Sequence, residues 1–262
     1  MGSLKTRLAA VAAIVATPHA FAADMLMPPP PGPAPVLAEL GTGWYLRGDV
    51  GYAEYAKVKE EIGFSAGRPF DLIDLESTWS VGAGFGYQFT NWLRADVTVD
   101  YRDEARFRAL SSRTGYVEGF STDRAKFEST TFFLNGYIDL GSWYGFTPYV
   151  GAGIGLAQNR LANYVTQVTC LMPSCGDPTP GASYPLGPQA ENVMRARTNY
   201  NLAWALMAGA AVDLGAGFKL DLGYRYVRLG DVRTELDPWG VGTKLKALDA
   251  HEARVGFRYM LD

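Results

Sequence analysis

Arg47, Asp49, Arg94, Asp96, Asp100, Arg102, Lys219, Asp221, Arg225, Glu252, Arg254 and Arg258 are the residues of this chain whose types and spacing could do chemistry. They tend to recur at alternate positions of extended segments, so within each segment they would share one face of a sheet. Two chemistries are open to such a set. Acidic and basic groups lining a narrow path could select and pass a small polar solute. The same groups paired with one another would instead fill a narrow interior as a polar core. The two signs are nearly balanced, so no strongly ion-selective field is expected, and the filled interior is the favoured reading.

Other chemistries lack their residues. His19 falls in a stretch that reads as a removable leader, which leaves His251 as the remaining histidine. It stands in the outward register near one end of its segment, and a serine–histidine–carboxylate mechanism needs its partners beside it. No catalytic residue, metal site or cofactor is expected. Gly82, Gly84 and Gly86, and likewise Gly151, Gly153 and Gly155, look like dinucleotide loops, but no helix opens at them. Their expected use is spatial, leaving room for charged neighbours. Cys170 and Cys175 are close in sequence, and an exported chain meets an oxidising compartment, so a disulfide closing a small loop is expected.

The elements that must position these groups are strands. In Trp79–Phe89 the residues Trp79, Val81, Ala83, Phe85, Tyr87 and Phe89 alternate with small or polar ones. Similar segments run over 44–55, 92–102, 129–140, 147–157, 200–214, 218–228 and 248–259. Their apolar positions read as outward and nearly all their charges as inward. A basic side chain at a lipid midplane costs roughly 2–4 kcal/mol, and this register avoids that cost. Trp44, Trp79, Trp92 and Tyr259 sit near segment ends, where an aromatic girdle belongs. The connections alternate between long (about 56–76, 103–127, 158–198 and 230–247) and short (90–91, 141–146 and 215–217). Long external loops and short periplasmic turns are the habit of outer-membrane barrels. The sequence therefore predicts an all-β fold, an eight-stranded antiparallel up-and-down transmembrane β-barrel.

Residues 1–22 read as a signal peptide. Lys5 and Arg7 precede an apolar run, and Ala20-Phe-Ala22 offers a cleavage site. Residues 23–42, with Pro28–Pro31, Pro33 and Pro35, read as an extended periplasmic linker, and 43–262 as the barrel with four long external loops. Of 24 basic and 27 acidic residues, the leader takes two basic ones, so the mature chain is acidic and no nucleic-acid partner is expected.

The stretches Gly43-Trp-Tyr-Leu-Arg-Gly-Asp-Val-Gly-Tyr52, Asn135-Gly-Tyr-Ile-Asp-Leu140, Pro148-Tyr-Val-Gly-Ala-Gly-Ile-Gly155 and Leu222-Gly-Tyr-Arg-Tyr226 carry a resemblance. The chain resembles the opacity-type, OmpA-like eight-stranded surface proteins of the Gram-negative outer membrane, over about 43–262. Chains of that group usually end on an aromatic residue, whereas here Met260, Leu261 and Asp262 follow Tyr259. The resemblance implies residence in the outer membrane, with both mature termini periplasmic. The expected function is structural and surface-facing: envelope integrity and loop-mediated contact, not catalysis. A porin-like small-solute channel lined by arginine and carboxylates is the alternative. Expected partners are outer-membrane lipid and lipopolysaccharide, the barrel-assembly machinery during insertion, and an external ligand reached through the loops.

Overall fold

The computed structural model describes residues 43–56, 59–63, 70–111, 119–175, 179–235 and 242–261. The expected leader and proline-rich linker lie outside the described residues, as do parts of the long connections. The strands are β1 (Gly43–Tyr55), β2 (Lys59–Gly63), β3 (Leu72–Leu75), β4 (Thr78–Gln88), β5 (Leu93–Ser111), β6 (Gly119–Asp139), β7 (Phe146–Cys170), β8 (Gly187–Pro188), β9 (Asn192–Met194), β10 (Arg197–Gly215), β11 (Phe218–Arg233) and β12 (Gly242–Leu261).

Eight of them form a ring in the order β1-β4-β5-β6-β7-β10-β11-β12, closed by an antiparallel β1–β12 ladder from Trp44↔Leu261 to Tyr55↔Ala250. Closure leaves no unpaired edge, a condition that any sheet crossing lipid must meet. These eight strands match the eight alternating segments read from the sequence, with Phe89, Trp92 and Leu140 falling one residue outside the strands. The alternation appears as burial: along β1, buried and exposed side chains follow one another with period two. Leu46, Val50, Val97, Leu134, Ile154 and Phe257 are all exposed on the outside, as a lipid-facing band requires. At the short-turn end, Gly215 and Gly217 take φ of 81° and 77°, a left-handed backbone that reverses β10 into β11 within a few residues.

The long connections differ from expectation. A tilted strand crosses a bilayer in about 9–11 residues, but β7 has 25 and β6 has 21. Much of what reads as loop over 103–127, 158–198 and 230–247 is a continuation of the same ladders beyond the lipid band. Short strands widen this upper sheet: β2 pairs with β12, β3 with β5, and β8 and β9 with β7. Bulges hide these extensions from a period-two reading. The β5–β6 register shifts between Arg102 and Ala105, so even-numbered β5 residues face inward below the bulge and odd-numbered ones above it. Below it Asp100 and Arg102 are buried inside; above it Ala105, Phe107 and Ala109 are.

Candidate functional site

The inward faces of the ring strands build the lumen in two layers. Toward the turn end it is ionic. Glu252 of β12 accepts from Arg102 Nε of β5 at 2.6 Å and from Arg225 Nε of β11 at 2.7 Å. Arg225 Nη1 reaches Asp100 Oδ2 at 2.8 Å, and Asp100 Oδ1 accepts from Arg254 Nη2 at 2.5 Å. Arg254 also donates to Asp49. Arg47 joins Asp49 at 3.2 Å to Asp96 at 3.0 Å. Four guanidiniums and four carboxylates thus form one neutral chain from Arg102 to Asp96, tying β1, β5, β11 and β12 across the barrel. Two further pairs, Arg94–Asp139 at 3.2 Å and Arg258–Asp221 at 3.1 Å, lie outside that chain.

Neutral groups complete the packing. Asp96 accepts from Tyr45 Oη at 3.1 Å and Asn135 Nδ2 at 2.7 Å. The Arg94 guanidinium lies 4.0 Å from the Tyr137 ring centroid and 4.8 Å from that of Tyr149, a cation–π box. Gly82 makes the central chain possible: a Cβ there would collide with Asp100 Oδ1, Arg254 Nη2 and Asp49 Oδ1. Gly86 and Gly151 leave room in the same way for the rings of Tyr45 and Tyr137. A cavity of about 20 Å³ remains between Arg47, Asp49, Tyr137, Asp221, Arg225 and Arg254. That is room for about one water molecule.

Toward the loop end the same strands turn apolar. Tyr55, Phe107, Phe127, Leu161, Leu229 and Leu248 belong to one buried cluster, with Tyr55 and Phe127 edge to face at 5.6 Å. The inward register predicts a polar lumen throughout, so this layer corrects that expectation. Ten of its eighteen described residues lie beyond the segments assigned from the sequence, those of β5 past the bulge; the others, Phe133 and Val227 among them, lie within the segments.

Of the charges singled out in the sequence, eleven enter these ion pairs. Lys219 does not: it is half-buried near the turn end, outside the ion pairs found among the described residues. Asp139, Tyr45 and Asn135 complete the network without having stood out in the sequence; their signal is the same inward parity. Cys170 and Cys175 form a disulfide. Trp44, Trp79, Trp92 and Tyr259 all stand exposed on the outer face, Trp44 stacked on Phe85 at 4.6 Å. His251 is also outside, its Nδ1 2.5 Å from Tyr224 Oη. Among the described residues no cluster of histidine, cysteine or carboxylate side chains could hold a metal.

The family described as outer membrane protein beta-barrel domain matches residues 8–260. An uncharacterized protein of Brucella suis biovar 1 is 31% identical, with 94% of each chain covered. A candidate adhesin of Rickettsia typhi is 25% identical over 82% of this chain and 87% of its own. The outer membrane protein PagN of Salmonella typhimurium is 28% identical over about half of each chain. Among solved structures, the outer membrane protein OprG of Pseudomonas aeruginosa superposes with a TM-score of 0.51 at 13% identity, covering 84% of this chain and 96% of that one.

Proposed function

The chain belongs to the outer membrane β-barrel domain family and resides in the outer membrane, and from that premise we propose that it acts as a closed barrel presenting a contact surface at its loop end. The observation that carries this reading is the double seal of the lumen. The neutral ion chain from Arg102 to Asp96 lies at one level, and the cluster around Phe107 and Phe127 at another. A filled lumen leaves the extended strands above the lipid band as the working part, and surfaces on a rigid scaffold are where binding usually resides. In this reading residues 1–22 are removed on export and 23–42 form a periplasmic tether. The short turns and both mature ends face the periplasm, and the extensions reach outward. Envelope lipid, lipopolysaccharide and the insertion machinery are the partners inside the membrane. The relatives named as adhesins support surface contact. No catalysis is proposed, since His251 faces away from every lumen carboxylate.

The test has two arms. Purified protein in a planar bilayer gives no steady openings; steady openings that vanish in Arg254→Ala would overturn the closed lumen. Cells displaying the intact chain bind a target cell layer better than cells displaying a version shortened across 171–186; equal binding would remove the contact role. The second reading, a small-solute path, draws on one observation. Arg102 Nη2, Arg254 Nε and Arg258 Nε and Nη1 carry no hydrogen-bond partner among the described residues, donors that a passing solute could meet.

A further inference from the structure

Between 103 and 127 the sequence mixes acids and bases in near balance, but strand pairing sorts them. The bulge after Arg102 reverses the facing of β5, so Arg106 and Arg108 emerge on the outer surface while Phe107 turns inward. Arg124 and Lys126 emerge beside them from β6. The register sets Arg106 directly opposite Lys126 and Arg108 directly opposite Arg124. Like charges placed directly across a strand pair repel. Here two such pairs sit close together on one face of the extension.

Carboxylates on the same face (Asp74, Glu76, Asp103 and Glu104) equal these cations in number, but ion pairs among the described residues engage only two of the four. Glu76, just beyond β3, pairs with Arg108 at 3.2 Å, and Glu104 pairs with Lys126 at 2.6 Å. Asp74 of β3 stands opposite Arg108 on its other side. Glu128 is engaged by Arg160 at 2.8 Å. Arg106 and Arg124 take part in none of the ion pairs found among the described residues, and Arg124 reaches only the side-chain oxygen of Gln167, at 3.5 Å. All four cations are exposed.

Their height is informative. The continuous outward apolar rows end at Tyr101 on β5 and Phe132 on β6, both exposed; Leu110 and Leu72, paired across β5 and β3, form a separate apolar spot beyond the cations. At about 3.3 Å per residue along a tilted strand, the cations begin on the order of 10 Å beyond that edge. The headgroup layer is roughly 5–8 Å deep on each side, so the cations stand at its outer margin. A guanidinium fork matches phosphate oxygens with two parallel hydrogen bonds, and an anion placed between opposed cations relieves their repulsion. We propose, resting on the outward placement of the extensions given above, that Arg106, Arg108, Arg124 and Lys126 form a binding site for the phosphate groups of an outer-leaflet glycolipid, holding it against the outside of the β5–β6 extension.

The test uses the full chain in phosphatidylcholine nanodiscs, with three probes: bis-phosphorylated lipid A, dephosphorylated lipid A and inorganic phosphate. The lipid retained is read by native mass spectrometry. Wild type retains the phosphorylated lipid in preference to the dephosphorylated one. The double variant Arg106→Gln/Arg124→Gln binds it about tenfold more weakly while keeping its heat-modifiable gel mobility. Glu76→Gln/Glu104→Gln, which frees Arg108 and Lys126, binds it more tightly. Equal retention by Arg106→Gln/Arg124→Gln and wild type, or equal retention of the dephosphorylated lipid, would overturn the site. Inorganic phosphate binding as strongly as the lipid would overturn the glycolipid as its occupant.

Discussion

The two halves of one lumen are built by the same strands from opposite chemistries. Along β12 the inward residues run Arg258, Arg254, Glu252, then Ala250, Leu248 and Leu245; along β11 they run Asp221, Arg225, then Val227, Leu229 and Val232. The difference follows the solvent outside. Within the lipid band the exterior is as apolar as any core, so the hydrophobic effect cannot tell inside from outside. Paired charges can, because they are tolerated only on the side away from lipid. Beyond the band the exterior is water, and an apolar interior with charged residues outside becomes the stable arrangement. Arg106 and Phe107 exchange the roles of Tyr101 and Arg102 across a single bulge.

The largest effect tests the ionic half. Glu252→Ala takes from the buried Arg102 its carboxylate and leaves Arg225 with Asp100 alone, and unfolding in denaturant should show a loss of about 3–5 kcal/mol. Removing Arg102 in that background should add little, because the coupling is already gone. Phe127→Ala in the apolar half should cost about 3 kcal/mol. Its mark in amide exchange should be confined to the extensions, leaving the strands around Asp49 protected; loss of protection throughout would mean the halves are one cooperative unit. Gly82→Ala should cost about 1–3 kcal/mol, because the methyl enters the space of Asp100 and Arg254. The same change at Gly136, which has open space beside it, serves as the control.

The smallest effect concerns pH and the extension. Asp123 is buried above the lipid band and accepts from the Thr166 hydroxyl. Burial pushes its carboxyl above the usual range, against the lowering effect of its hydrogen bonds. The folded form therefore holds its proton to higher pH than the unfolded chain does. The associated stability is complete below the ordinary carboxylate range and is lost as pH rises through the raised value, with a slope of at most about 1.4 kcal/mol per pH unit. Asp123→Asn should flatten that decline in a series of unfolding midpoints; an unchanged slope would show that Asp123 is not its source.

The sequence discloses the ring and its facing because lipid imposes a strict alternation: Leu46, Arg47 and Asp49 can be assigned without knowing their neighbours. The extensions are harder to read. Around 103–111 and 119–127 both faces mix polar and apolar residues, and a bulge resets the parity that the eye is following. The partners within the lumen were not legible either. Local pattern shows that Arg254 points inward, but its carboxylates are on β1 and β5, with separations of 205 and 154 residues. Such pairings are fixed by strand order and shear, which alternation does not encode. The cation cluster was concealed for the same reason, since a near-balanced composition says nothing about which charges strand pairing places side by side.

Ring closure by β1 and β12 has a consequence for assembly. Hairpins such as β5–β6 unite neighbours in the chain and can form early, but the ionic seal draws on the first ring strand and the last two. Asp49 meets Arg254, and Arg102 meets Glu252, only when the two ends of the sheet come together. Until then Glu252 has only Arg225 across its hairpin and Asp49 only Arg47 on its own strand, while Arg102 and Arg254 lack these carboxylates on an open sheet, tolerable in water and costly in lipid. The seal therefore works as a clasp: it rewards the final step of closure over every partial ring, and it makes the slowest, most non-local contacts the ones that commit the barrel to the membrane.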